Sequence, residues 1–292
     1  MAVYRIKLFT GEPDKRNECL DENNPKIAIG WNVDGAKNYN DYCEKAKNIQ
    51  VYCKDSQNLK YGLQKSLDAF VKLTEGSLVW TQISGRDYRL GRISKDDVVE
   101  YDDYLGPCIS CELKEIKFDD VPGKIISCFV GRGIVFRKVN LDSYMEKYCE
   151  WLYEGKEAGS LKLGSFKSLL HPDDLEDLAG LYLQGKMNYY IIPSTNKQGS
   201  KLVEYELRDK HGNKACLQCK IGNSSIEVDE ICKNFEGYKI FICVIDDPQK
   251  GTYTDNSKNI EEIPFEVLYN WAKEHEDILP QRIQNFLSLT ND

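Results

Sequence analysis

A chain of 292 residues with 41% hydrophobic and 29% charged residues has the make-up of a globular protein large enough for two domains, each with its own core. Its formal net charge of −8 excludes a general nucleic-acid coat, which needs an excess of Lys and Arg against phosphate, but leaves room for a local basic strip. No run approaches the roughly 18 apolar residues of a membrane span, and MAVYRIKLFTGEPDKR at the amino terminus lacks the apolar centre of a signal peptide. The expectation is a cytoplasmic protein without a membrane partner, its eleven cysteines reduced and mostly buried.

In chain order, residues 4–9 alternate as a strand does, a charged loop runs on through residue 24, and KIAIGW at 26–31 reads as a buried strand. Helices are expected over 41–47 and 63–73; in the second, Leu63, Leu67, Phe70, Val71 and Leu73 lie near one stripe. Strands follow at 77–83 and 88–93 around a turn at 84–87, then at 109–116 and 123–129 around Val121-Pro122-Gly123, with one more at 133–139. One strand, two helices and an antiparallel set describe a small open β-barrel with helices at its side, an α+β domain.

AIGW followed by a helix, GSLVW and YRLGRI resembles the EVE-like group of the PUA-related fold over about residues 4–139. Gly76-Ser77 stands where that group usually has Gly-Asp, and the tryptophan often found in the later strand is missing near 111–116. Members of the wider class hold a nucleobase between aromatic side chains, and in prokaryotic restriction proteins they read modified DNA. The resemblance implies base recognition, for which flat side chains at Trp31, Trp80, Tyr88, Tyr101 and Tyr104 are the candidates. Phosphate contact is assigned to Arg86, Arg89 and Arg92, in a basic strip extended by Lys95, Arg132, Arg137 and Lys138.

Residues 141–153 have helical spacing at Tyr144, Tyr148 and Trp151, and the polar, glycine-containing piece 154–160 reads as a linker. The domains are therefore expected at 1–140 and 161–292, with a helix and linker at 141–160. The second opens on a helix over 170–183, started by His171-Pro172-Asp173-Asp174 with an aspartate cap. Leu175, Leu178, Ala179 and Tyr182 form its apolar face, with Glu176 beside it. A strand at 189–193 is followed by a hairpin of strands 202–207 and 214–221 around Asp209, His211, Gly212 and Asn213. A helix over 226–235, the buried strand YKIFICVI at 238–245 and a helix over 264–287 broken at Pro280 complete an α/β sandwich.

On the hairpin, Gln218 and Lys220 share one face, as Glu204 and Glu206 do. If the two faces coincide, an acid, an amide and an amine meet, which is what is needed to hold a divalent cation and a water beside a phosphate. LQCK, with Glu204 sixteen positions before Lys220 and the helix DDLEDLAGLYL upstream, resembles the PD-(D/E)xK nuclease superfamily, in particular its Mrr-like branch, over about residues 166–244. Glu204 stands where the family usually has aspartate. The resemblance implies a restriction endonuclease-like fold in which Glu204, Gln218, Lys220 and Glu176 are catalytic. Glu204, Glu176 and the backbone carbonyl of Cys219 would hold Mg2+ or Mn2+.

The implied function is a metal-dependent DNA endonuclease of a prokaryotic restriction or antiviral defence type, its cleavage conditioned by the first domain on a modified base or another signal. RNA is left open as a substrate, and so is the oligomeric state. The alternatives are a catalytically degenerate nuclease fold that only binds, and a nuclease effector switched on by a small nucleotide or a partner. Cys108/Cys111 and Cys216/Cys219 form two C-x-x-C pairs, but they lie in different domains, and positions three apart on a strand face opposite ways, which argues against a zinc site. The three histidines are too dispersed for a nucleophile–histidine site.

Overall fold

The computed structural model describes the chain apart from residues 1, 9–10, 31, 49–65, 67–68, 71, 95–98, 131–133, 157–162, 196–201, 223–225, 247–248, 250 and 291–292. It is a mixed α+β protein in two compact units, residues 1–159 and 160–292.

In the first unit, β1 (Val3–Ile6), β3 (Leu78–Ser84), β4 (Asp87–Arg92), β7 (Leu113–Ile116) and β8 (Phe136–Lys138) form a sheet in the order β7-β4-β3-β1-β8. Only β1 and β3 run parallel. A second, antiparallel sheet joins β2 (Lys26–Ala28), β6 (Gly106–Ser110) and β5 (Glu100–Asp102). All four residues of β1 are buried because both faces of the larger sheet are covered. Tyr4, Ile6 and Val79 pack with Ile27 and Ile109 of the smaller sheet on one side. On the other, Val3, Leu78 and Trp80 pack with Ile125 and Phe129 of α3 (Gly123–Phe129) and with Cys149 and Tyr153 of α4 (Ser143–Glu154). The remaining described helices of this unit are α1 (Pro13–Cys19) and α2 (Tyr39–Asn48).

Several expectations change here. No closed barrel is present among the described residues: the strand expected over 109–116 breaks after Ser110, so that β6 belongs to one sheet and β7 to the other. Residues 123–129 are helical, with Pro122 at the cap and Ile125 and Phe129 buried four positions apart on one helix face. The charged loop contains α1, entered through Pro13 and anchored by buried Cys19. The helix expected over 141–153 belongs to the first unit, where α4 buries Cys149 and Tyr153 in the core. The helix expected over 63–73 falls largely outside the described residues.

In the second unit, β9 (Tyr189–Ile191), β10 (Tyr205–Asp209) and β11 (Lys214–Ile221) form an antiparallel meander. Then β12 (Lys239–Ile245) and β13 (Ile260–Glu262) add parallel strands, giving the order β13-β12-β11-β10-β9. The β10–β11 turn is held by Asp209, whose Oδ1 accepts from the backbone N–H of His211 and of Asn213, each at 2.8 Å, while Gly212 takes a φ of 83°. On one face Cys216, Ile240, Ile242 and Val244 pack with Ile231 of α7 (Val228–Asn234). The opposite face meets α6 (Pro172–Gly185), where the Cys219 thiol lies 3.9 Å from the Leu175 carbonyl. Helices α5 (Leu163–Leu169), α8 (Phe265–Glu274) and α9 (Gln281–Ser288) complete the unit, with the Phe166 ring 5.9 Å from Phe265 and 5.4 Å from Tyr269.

The α6 helix is fixed at three points. His171, rather than an aspartate, is the N-cap: its Nδ1 accepts from Asp173 N–H at 3.3 Å, and its own N–H donates to Asp174 Oδ2 at 2.7 Å. The same Asp174 oxygen accepts from Arg282 Nε of α9 at 2.8 Å, with both side chains nearly buried. A Cβ on Gly180 would lie 3.0 Å from Ile191 Cδ1 and 3.5 Å from the Tyr205 ring, so the missing side chain lets α6 lie close on β9 and β10. Removing one partner of a buried ion pair strands the other charge. Arg282→Ala is therefore expected to lower the unfolding free energy by roughly 3–5 kcal/mol in urea titration.

Candidate active site

The site is set by an irregularity in the β10–β11 ladder. Tyr205 pairs with Leu217, yet the N–H of the preceding Glu204 still donates to the Leu217 carbonyl at 2.8 Å, one residue out of step. A one-residue slip exchanges the faces. Val203 accordingly packs with Cys216, Ile240 and Ile242, on the face of α7, and Glu204 is turned away from Glu206. Strict alternation had put Glu204 and Glu206 together; instead Glu206 accepts from the Tyr238 hydroxyl at 3.1 Å and lies 3.8 Å from Arg208.

Glu204 has four neighbours at this corner. Gln218 Nε2 donates to Glu204 Oε1 at 3.0 Å and to the Cys219 carbonyl at 2.9 Å, which satisfies an amide only 2% exposed. The Cys219 N–H donates to the Glu204 carboxylate, the Lys220 charge acts on it, and the Glu176 carboxyl of α6 shares a hydrogen bond with it. The structure thus brings Glu176, Glu204, Gln218 and the Cys219 backbone together, with Lys220 beside them as an opposite charge.

A hydrogen bond between two carboxyl groups requires a proton on one of them. Burial, followed by the Glu204 charge and then that of Asp173, pushes the Glu176 carboxyl up to about 8. Glu204 is also raised by burial, against the lowering effects of Lys220, Glu176, Cys219 N–H and Gln218. Glu176 is the proton holder, because the charge and the N–H donors around Glu204 favour its ionised form.

Sequence reasoning missed two neighbours. Asp177 is raised by burial and by Asp174 and Asp173, and it bonds the Tyr205 hydroxyl. The signal was the acidic density of Asp173, Asp174, Glu176 and Asp177, which resembles a solvated helix face unless the packing of α6 is known.

Two carboxylates and a carbonyl oxygen are ligands that suit a hard divalent cation completing its shell with water, and two crowded acids holding one proton make a place where such a cation relieves repulsion. Among the described residues no group of three or more His, Cys, Asp or Glu side chains is placed to hold a metal ion, so the protein side chains would supply only part of the shell.

The residues proposed for the first unit fare differently. Trp80 and Tyr88 are fully buried, 6.5 Å apart edge to face in the core, so neither offers a face to a base. Tyr101 has its ring 5.3 Å from Tyr42, and its hydroxyl donates to the Val33 carbonyl at 3.1 Å, which makes it a structural clasp. Tyr104 is 48% exposed with Lys15 Nζ 5.3 Å from its ring, and Trp31 lies outside the described residues. Arg89 pairs with Asp87 at 2.9 Å and Glu115 at 3.0 Å, and Arg92 with Glu154 at 3.3 Å and Glu150 at 3.6 Å, so neither is a ready phosphate contact. Arg86 lies over the Phe118 ring at 4.8 Å. Lys95 and Arg132 lie outside the described residues.

No helix among the described residues is long and apolar enough to cross a membrane. Compared with protein-family models, curated proteins and solved structures, the chain gives no match.

The raised carboxyl makes the metal-free protein sensitive to pH. Between the ordinary glutamate range near 4.5 and about 8, folded Glu176 keeps a proton that the unfolded chain has released, so stability falls as pH rises through that window. Glu176→Gln is expected to flatten this decline and to raise the melting temperature of the metal-free protein at pH 8–9, as read by thermal melts in chelator.

Proposed function

We propose that the second unit is a metal-dependent phosphodiesterase acting on nucleic acid, most simply a DNA endonuclease. The observation that carries this reading is the convergence of the Glu176 and Glu204 carboxyl groups with Gln218, the Cys219 backbone and Lys220 on one corner. The element order supports it: a helix carrying Glu176, a three-stranded meander, a crossing helix and a parallel strand, as in restriction endonuclease-like folds.

Glu176, Glu204 and the Cys219 carbonyl would hold magnesium or manganese, which supplies positive charge at the scissile phosphate and a more acidic water. Gln218 is neutral and fixes the Glu204 carboxylate by its Nε2. In a second bond the same Nε2 holds the Cys219 carbonyl in place. Lys220 brings an ammonium to the corner and has no close ion pair among the described residues, so it would balance a phosphate oxygen or orient the attacking water. The first unit would condition cleavage through recognition, with Tyr104 the exposed aromatic among the proposed base contacts.

A second reading has an observation in its favour. With no cluster of three acidic, His or Cys side chains among the described residues, and with the Cys219 carbonyl taken by Gln218, the corner also suits a nuclease fold that only binds. The two separate in one experiment: modified and unmodified DNA incubated with magnesium or manganese, wild type beside Lys220→Ala and Glu204→Gln. Cleavage that falls by about 100-fold or more in both variants, with unchanged circular dichroism, is the expected result. Retained DNA binding without cleavage by the wild type on any substrate would establish the binding reading instead.

A further inference from the structure

The first unit contains a buried cation, Arg5, with no acid opposite it among the described residues. Arg5 pairs with Trp80 of β3 on one side and Arg137 of β8 on the other, so the three side chains form a row on one sheet face. Trp80 takes that row into the core, where Arg5 is only 3% exposed. The guanidinium lies 5.9 Å from the Phe129 ring, and Nη1 donates to the Val135 carbonyl at 3.2 Å. The Nε–H is buried without a partner.

Among the described residues, the charged side chains that act on it share its sign. Lys7 follows Arg5 by two residues on the same face of the sheet, and Arg5 and Arg137 both act on it as like charges. Among the described residues, the titratable groups acting on Arg5 are Arg137 and the Cys128 thiol, with no carboxylate among them. Burial first and then Arg137 lower its pKa to about 10, which leaves it charged at neutral pH. A buried charge needs compensation, and a guanidinium does not escape by losing its proton. The Val135 carbonyl and the Phe129 ring carry no formal charge, so among the described residues the positive charge is left for an anion to balance.

We propose that Arg5, Lys7 and Arg137 form a seat for a phosphate group, with Arg5 as its floor and Lys7 and exposed Arg137 as its rim. Three cations and a buried Nε–H that has no partner among the described residues match a tetrahedral dianion better than chloride or a single carboxylate. The phosphate is either free or the terminal group of a nucleotide. The site is independent of the carboxylate corner and stands whether or not the protein cleaves DNA.

The test uses the full chain, titrated calorimetrically with sodium phosphate and with adenosine monophosphate, against sodium chloride at matched ionic strength. Saturable binding of phosphate but not chloride is expected, weakened about tenfold by Arg137→Ala, the loss of one charge-assisted bond. The ligand-free melting temperature of that variant should stay the same. Tighter binding of the nucleotide identifies a nucleotide seat, and equal binding a seat for free phosphate. Arg5→Met should abolish binding without lowering ligand-free stability, since an apolar side chain replaces an unpaired buried charge. Should that variant misfold, Arg137→Ala decides alone. Equal response to phosphate and chloride, or wild-type phosphate affinity in Arg137→Ala, overturns the proposal.

Discussion

The second unit is organised around a repulsion. Glu176 and Glu204, each partly buried, share a hydrogen bond, and burial together with the Glu204 charge raises the Glu176 carboxyl so that one proton is favoured over two charges. Left alone, such a pair would push the helix from the strand. It persists because α6 is over-determined elsewhere: by its capping box at His171 and Asp174, by the buried bond from Arg282, and by the close approach at Gly180. The local frustration is borne by packing some distance from the pair, as expected where a site is kept ready for a ligand.

The two units present opposite electrostatic problems. In the second, acidic groups crowd a corner with one nearby lysine and an amide. In the first, the half-buried Arg89 is neutralised by Asp87 and Glu115 and the half-buried Arg92 by Glu150 and Glu154, while Arg5 is buried beside Arg137. The net charge of −8 describes neither situation, because screening and burial act over a few ångströms and the total is a sum over the whole chain. Surface pairs such as those of Arg89 add little stability. The unpaired groups carry the information about ligands.

The β-bulge at Glu204 links backbone to chemistry. In a regular ladder Glu204 would lie on the α7 face beside Glu206, and Glu176 on α6 would have no partner. One residue of slip moves a single carboxylate to the helix that carries the other, while the main-chain bond to Leu217 keeps the strand attached.

By itself the sequence determined most of the order of elements in the second unit, though not α5 or β13, because hydrophobic periodicity and turn residues act locally: β11 spans Lys214–Ile221 as expected, and the break at Pro280 separates α8 from α9. It also singled out Glu176, Glu204, Gln218 and Lys220, through the resemblance of LQCK and its upstream helix to a known family's motifs. Alternation could not reveal the slip that joins Glu204 to Glu176, because a bulge is a property of two strands together and leaves no mark on one. Nor could composition tell core aromatics from exposed ones. Trp80 and Tyr88 read as well for a base cage as for a core, and only the helices packed over that sheet, one of them formed where a strand was expected at 123–129, decided that they are buried. Burial depends on what lies opposite in space, and residues distant in the chain supply it.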